Sequence, residues 1–165
     1  MADKNQDQFE RLLLLLGRLN YTWTNTESLL IHFIAGLSKT NKDTAVVIFL
    51  TLNTMRARVD LVERLAKMDS VDPEKREAVL SLTRQMLKLS RLRNQYNHSI
   101  YAFDPESGAA SAILMRIADR KRDIKVGKAT QIDQSALQEI EQAISDLTEL
   151  NARIWSTIVA HSYPQ

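Results

Sequence analysis

The sequence predicts an all-α protein: an antiparallel four-helix bundle with a small β-hairpin inserted before the last helix. Three observations predict it. Apolar residues recur at steps of three and four over long stretches, as one face of a helix requires. Only four glycines and three prolines interrupt 165 residues, which leaves few places for the turns that many short strands would need. One stretch, at about 112–127, alternates apolar and polar residues around a short polar connector, the pattern of a hairpin.

The first stripe is Phe9, Leu12, Leu16, Leu19, Trp23, Thr26, Leu30, Phe33 and Leu37, giving a helix from Gln6 to Leu37 with a bend expected at Gly17–Tyr21. Thr26 is its one polar member and sits in the polar cluster Thr24–Glu27. Ser38–Asp43 reads as a turn with Asp43 as the next helix cap. The second stripe is Ile48, Leu52, Met55, Val59, Val62 and Ala66, ending near Met68, with Arg56, Arg58 and Arg64 beside it. Asp72 then caps a third helix that has Pro73 at its first position. Its stripe runs Val79, Leu82, Met86 and Leu89, and continues as Arg93, Tyr96 and Ile100, so an arginine stands where the pattern calls for a leucine. A charge on an apolar seam is costly unless it is partnered.

Phe103–Gly108 supplies turn residues to end that helix. Ile113–Ile117 and Asp123–Val126 form the predicted hairpin, the most basic segment of the chain: Arg116–Lys128 holds six basic and two acidic residues. The last helix runs from Asp133 to His161 on the stripe Leu137, Ile140, Ile144, Leu147, Asn151, Ile154 and Ile158. Matched seams and short connections favour an antiparallel bundle. A two-stranded hairpin is marginal alone and must pack on the bundle or on a partner. No repeat, low-complexity tract or linker divides the chain, so residues 1–165 read as one domain.

Composition excludes several chemistries. There is no cysteine, which removes disulfides and thiolate catalysis and disfavours zinc. No metal-ligand set, glycine-rich phosphate loop or Ser/His/Asp signature is present, so neither metal nor cofactor is expected. A net charge of +2 is too small to indicate nucleic acid by itself, and any electrostatic argument must rest on where the charges lie. The polar start and the shortness of Leu12–Leu16 as an apolar run point away from a signal peptide or membrane span, and the expected location is cytoplasmic.

The strongest functional candidate is Arg93–His98, R-N-Q-Y-N-H. Arg93 and His98 are separated by roughly 140° around a helix and can line one side of a groove. Asn94 neighbours His98, and Asn97 neighbours Arg93, each at a spacing of four. Arg93 offers a permanent cationic fork for phosphate, and His98 exchanges a proton near neutral pH. Phosphodiester transfer needs such a pair: one group activates a ribose 2′-hydroxyl and the other stabilises charge on the phosphorus oxygens. The alternative is structural, with Arg93 ion-paired, for example to Glu27, and His98 placed favourably for the helix dipole.

An arginine, a polar residue, three more residues and a histidine, late in a long helix of an all-α chain, resembles the signature of the HEPN superfamily (higher eukaryotes and prokaryotes nucleotide-binding domains). Arg93, Asn94 and His98 match its Arg-x4–6-His motif, and the four-helix reading covers nearly the whole chain. The resemblance implies a homodimer whose two motifs face a shared cleft. It also implies metal-independent endoribonuclease activity that leaves a 2′,3′-cyclic phosphate, or a non-catalytic role in RNA or nucleotide binding. Toxin–antitoxin, defence or stress systems are the implied setting, with an antitoxin or regulatory protein as partner. The chain departs from the antitoxin-partnered branch two residues after the histidine, where Ile100 replaces the usual tyrosine and Tyr101 follows.

Around this motif the sequence offers Asn97, Tyr96, Glu27 and Arg56 as supporting residues, because in an up-down bundle Arg56, Arg58 and the Thr24–Glu27 cluster come level with Arg93. Arg120, Lys121, Arg122 and Lys125 of the hairpin could grip RNA phosphates, complete the dimer, or form a solvated ribbon. His32 reads as a satisfied core or interface histidine, His161 as exposed, and Trp23 and Trp155 as packing groups.

Overall fold

The structure, a computed structural model, describes residues 2–103, 110–119, 121–122 and 124–165, with side chains at 7–102, 111–115, 121–122, 124, 127 and 129–165. Among the described residues the chain is mostly helical, with one small antiparallel sheet. The elements are α1 (Ala2–Ser28), α2 (Leu30–Ser38), α3 (Lys42–Thr51), α4 (Met55–Ala66), α5 (Pro73–Asn97), β1 (Ser99–Phe103), β2 (Ala110–Asp119), β3 (Ile124–Gln131) and α6 (Gln134–Ala160).

The predicted hairpin is the larger part of a three-stranded meander in the order β1-β2-β3. The third strand comes from Ser99–Phe103, which the helical periodicity had assigned to α5 and the turn after it. Ile100 continues the three-and-four spacing, but it pairs with Ile113 across the sheet. The helix end is tied down by hydrogen bonds from the residues that follow it. His98 N–H donates to the Asn94 carbonyl (3.1 Å), Ser99 Oγ to that of Gln95 (2.6 Å), and the Tyr101 hydroxyl to that of Tyr96 (2.7 Å). Three of the orphan carbonyls at the helix end are thus satisfied by the residues that turn into β1. Between β2 and β3 the register shifts: Leu114 pairs with Lys128 but Ile117 with Val126. Met115 and Arg116 therefore form a bulge in β2 opposite the single residue Gly127, which itself takes a φ of 73° that glycine adopts readily.

Helix boundaries differ from expectation where short-range hydrogen bonds decide them. α1 runs unbroken through Gly17–Tyr21 and is interrupted at Leu29, whose N–H reaches Thr26 O at 3.2 Å. Asn41, rather than Asp43, caps α3, accepting from Thr44 N. The second predicted helix is two: Thr54 caps α4, and the Arg58 Nε donates back to the carbonyls of Phe49 (3.1 Å) and Leu52 (2.9 Å). Asp72 caps α5 through Glu74 N at 2.9 Å, and Asp133 caps α6 through Ala136 N at 2.9 Å.

The chain divides into two compact units. One comprises Met1–Tyr21 and Ser90–Ser145, the other Thr22–Leu89 and Asp146–Gln165. In the first, Leu12, Leu15, Leu19, Tyr96, Ala112, Leu137 and Ile140 are buried, and Arg11 pairs with Glu141 at 2.7 Å. In the second, the core holds Trp23, Leu30, Phe33, Ile34, Val59, Val62, Met86, Leu150 and Ile154. Each such side chain contributes roughly 1.5–3 kcal/mol of hydrophobic stabilisation when fully buried. Two polar residues on the apolar stripes answer each other here: Asn151 Nδ2 donates to Thr26 Oγ1 at 3.1 Å. The C-terminal residues close over α2. The Tyr163 ring lies where a Cβ on Gly36 would sit, and His32 Nδ1 is 2.6 Å from the Pro164 carbonyl. His32 is thus a satisfied core histidine, whereas His161 is half-buried against Tyr163 rather than exposed.

Candidate functional site

The site belongs to the first unit, where the last turn of α5 meets α1 and β1. Arg93 is half-buried, and the buried line of α5 passes instead through Met86, Ser90 and Tyr96. The arginine therefore flanks the apolar seam, which lowers the cost that its place in the stripe suggested.

Its guanidinium is held by amides. Nη1 donates to Asn94 Oδ1 at 3.1 Å. The Asn97 amide is oriented with its oxygen toward Arg93, because the opposite orientation sets like atoms against like. In that orientation Asn97 Oδ1 accepts from Nη2 (2.9 Å) and Nε (3.0 Å), and Asn97 Nδ2 donates to Asn20 Oδ1 (2.8 Å). Asn20 Nδ2 in turn donates to the Leu16 carbonyl at 3.1 Å. A relay thus runs from the α1 backbone through Asn20 and Asn97 to the arginine. Asn20 escaped sequence reasoning because its partner lies 77 positions away, and an asparagine on the flank of a helix gives no local signal.

His98 stands one residue past the end of α5, not within it. Its backbone is clamped on both sides: N–H donates to Asn94 O, and its carbonyl accepts from Met115 N at 2.9 Å. The side chain is exposed. The imidazole is therefore carried by a fixed backbone and open to an incoming molecule.

Tyr96 is buried, and Tyr101 is half-buried with its hydroxyl committed to Tyr96 O. Burial, with Glu139 and Asp133 nearby, pushes the Tyr96 phenol up to about 12. Burial and the neighbouring Tyr96 do the same for Tyr101, also to about 12. Both stay protonated at neutral pH and anchor the helix end rather than exchange protons.

Two of the other predicted site residues, Glu27 and Arg56, belong to the second unit. Glu27, in the second unit, accepts from Trp23 Nε1 (2.8 Å) and Arg58 Nη1 (2.7 Å), and the Arg58 guanidinium stacks 4.0 Å from the Phe49 ring centroid. A partly buried Arg–Glu pair does exist, then, but its arginine is Arg58. Arg56 is exposed and pairs with Asp60 at 2.9 Å. Lys121 and Arg122 are exposed. Arg120 and the Lys125 side chain lie outside the described residues.

Chemically, the arrangement offers a guanidinium that donates to two amide oxygens, with an exposed imidazole five residues along. Among the described residues no group of three or more His, Cys, Asp or Glu could hold a metal ion, and no helix is long and apolar enough to cross a membrane. Compared with protein-family models, with curated proteins and with solved structures, the chain matches none of them.

Proposed function

We propose that the protein is a HEPN-like homodimer that cleaves RNA without a metal ion, its long helices forming an antiparallel bundle. The observation that carries this reading is the Arg93 guanidinium in its amide cradle, five residues before an exposed His98. His98 takes the proton from a ribose 2′-hydroxyl as its oxygen attacks phosphorus. Arg93 stabilises the charge that builds on the phosphoryl oxygens. The bond to the 5′-oxygen breaks, that oxygen takes a proton from water, and a 2′,3′-cyclic phosphate remains. Amide acceptors suit such an arginine, because a phosphate oxygen makes the stronger, charge-assisted bond and can displace them. Asn94 and Asn97 orient the guanidinium, and Lys121 and Arg122 supply cations for the RNA backbone. The setting is a cytoplasmic defence, stress or toxin–antitoxin role, with an antitoxin or regulatory protein as partner.

The test is cleavage of a panel of RNAs by the purified protein in excess EDTA, with His98→Ala and Arg93→Ala alongside. Expected are cyclic-phosphate ends and loss of cleavage in both variants, with unchanged circular dichroism. A folded wild-type protein that leaves every RNA intact overturns the catalytic reading.

Two observations favour a second reading, a non-catalytic nucleotide-binding or dimerisation module. The Arg93 donors already engage Asn94 and Asn97, and the near-neutral net charge of +2 lacks a strong basic footprint. Under this reading Arg93→Ala weakens nucleotide binding while no RNA turnover exists to be lost.

A further inference from the structure

Helix α1 carries two apolar faces, and only one is used. Leu12, Leu15 and Leu19 are buried. Across the helix, Leu13, Leu14, Gly17 and Tyr21 fall within an arc of roughly 100° centred opposite that core stripe. They are open: Leu13 is 49% exposed, Leu14 63% and Tyr21 72%. The five-leucine run Leu12–Leu16 therefore over-supplies the fold with apolar surface.

Gly17 sits in the middle of this face, and a Cβ there would meet nothing within 4 Å. Glycine weakens a helix interior relative to alanine, and no intramolecular contact at this position offsets that. A mid-helix glycine flanked by exposed leucines is what close approach of another helix requires.

The charges along the face say which helix. Asp7 and Glu10 precede the apolar patch and Arg18 follows its centre, all three exposed. In a two-fold, antiparallel crossing centred on Leu14, Glu10 of one copy comes level with Arg18 of the other, and the same pairing recurs on the far side of the axis. The face is thus complementary to itself. It is a poor membrane surface, lacking the basic belt that such helices present.

We propose that the α1 face formed by Leu13, Leu14, Gly17 and Tyr21 is a self-association surface on which α1 of a second copy packs antiparallel. Asn20 lies on the flank of this face and leads through Asn97 to Arg93, so pairing here sets each copy's arginine relay beside the contact. The surface is argued from α1 alone and does not depend on RNA cleavage. A single helix pair is small for a stable interface, which places the dissociation constant on the order of micromolar.

Sedimentation velocity of the whole protein, from about 1 μM to about 300 μM, tests it across the range where such a dimer dissociates. Expected is a concentration-dependent dimer that Leu14→Glu and Gly17→Gln each weaken by about tenfold or more in dissociation constant, with circular dichroism unchanged. Glu10→Arg and Arg18→Glu each weaken self-association, and an equimolar mixture of the two restores a dimer. A monomer throughout overturns the proposal, and so does a dimer that Leu14→Glu and Gly17→Gln leave intact. A monomer that instead co-sediments with phospholipid vesicles overturns it in favour of a membrane surface. Any of these results leaves the His98→Ala experiment to decide catalysis separately.

Discussion

The Asn97 amide oxygen lies 2.9 Å from Nη2 and 3.0 Å from Nε of Arg93, so one neutral side chain fixes the plane of the guanidinium. If Arg93 serves a phosphoryl group, Asn97 acts by orientation. Asn97→Leu is expected to lower single-turnover RNA cleavage by about tenfold, the scale of a lost positioning contact. Asn97→Asp should lower it further, because a carboxylate competes with phosphate for the same donors. Equal rates for Asn97→Asp and wild type would rule the orientation role out.

The end of α5 depends on the Tyr101 hydroxyl. Tyr101→Phe leaves the Tyr96 carbonyl without that donor and is expected to cost about 1 kcal/mol in urea unfolding. Tyr96 and Tyr101 also predict an alkaline limit. Their pKa values rise from 10.0 to about 12 on folding, so the unfolded chain ionises first. Stability is full below pH 10 and is lost as pH rises toward about 12. Urea midpoints measured across that window should fall, and fall less steeply in Tyr101→Phe.

On the acid side the relevant group is His161. Burial first, then Lys75, lowers its pKa below 6.5, with Glu74 and Asp72 opposing. Its Nδ1 is buried without a hydrogen-bond partner among the described residues. The unfolded chain therefore takes up a proton at higher pH than the folded one, and stability declines as pH drops below about 6.5. Replacement by phenylalanine keeps a ring against Tyr163 and should flatten thermal stability between about pH 7 and about pH 5. A profile identical to wild type would remove His161 from the account.

Thr26 and Asn151 form a two-member network among apolar residues. Thr26→Val leaves the Asn151 amide without that acceptor and is expected to destabilise by about 1–3 kcal/mol. Adding Asn151→Leu should recover part of the loss, since an apolar pair of similar shape carries no desolvation cost. Additive losses in the double-mutant cycle would show that the two residues are not coupled.

What could be read from sequence was what local chemistry decides. Asp72 with Pro73 and Asp133 announce helix starts because a cap acts within three residues. The Arg93–Asn97 contact was legible for the same reason, a spacing of four on one helix. The break after Thr51 was hidden, because Ile48, Leu52 and Met55 keep the helical step across it while Arg58 fixes the turn from the following helix. β1 was hidden by Ile100, which fits the stripe although its partner, Ile113, lies in another element. Thr26 stood out in its stripe, but nothing local pairs it with Asn151. Asn20 and the open face of α1 needed the packed structure, since exposure is not a property of a single helix.

The contact of His32 with Pro164 spans 132 positions. During synthesis α2, L-I-H-F-I-A-G-L-S, meets α3 and α4 early, but its Gly36 and His32 side waits for Tyr163 and Pro164 while most of the chain is still being added. Contacts of such separation close late and slowly. A nascent chain stalled between α5 and α6 would leave the Gly36 side of that helix open to its neighbours, an aggregation hazard that ends once Tyr163 emerges and docks.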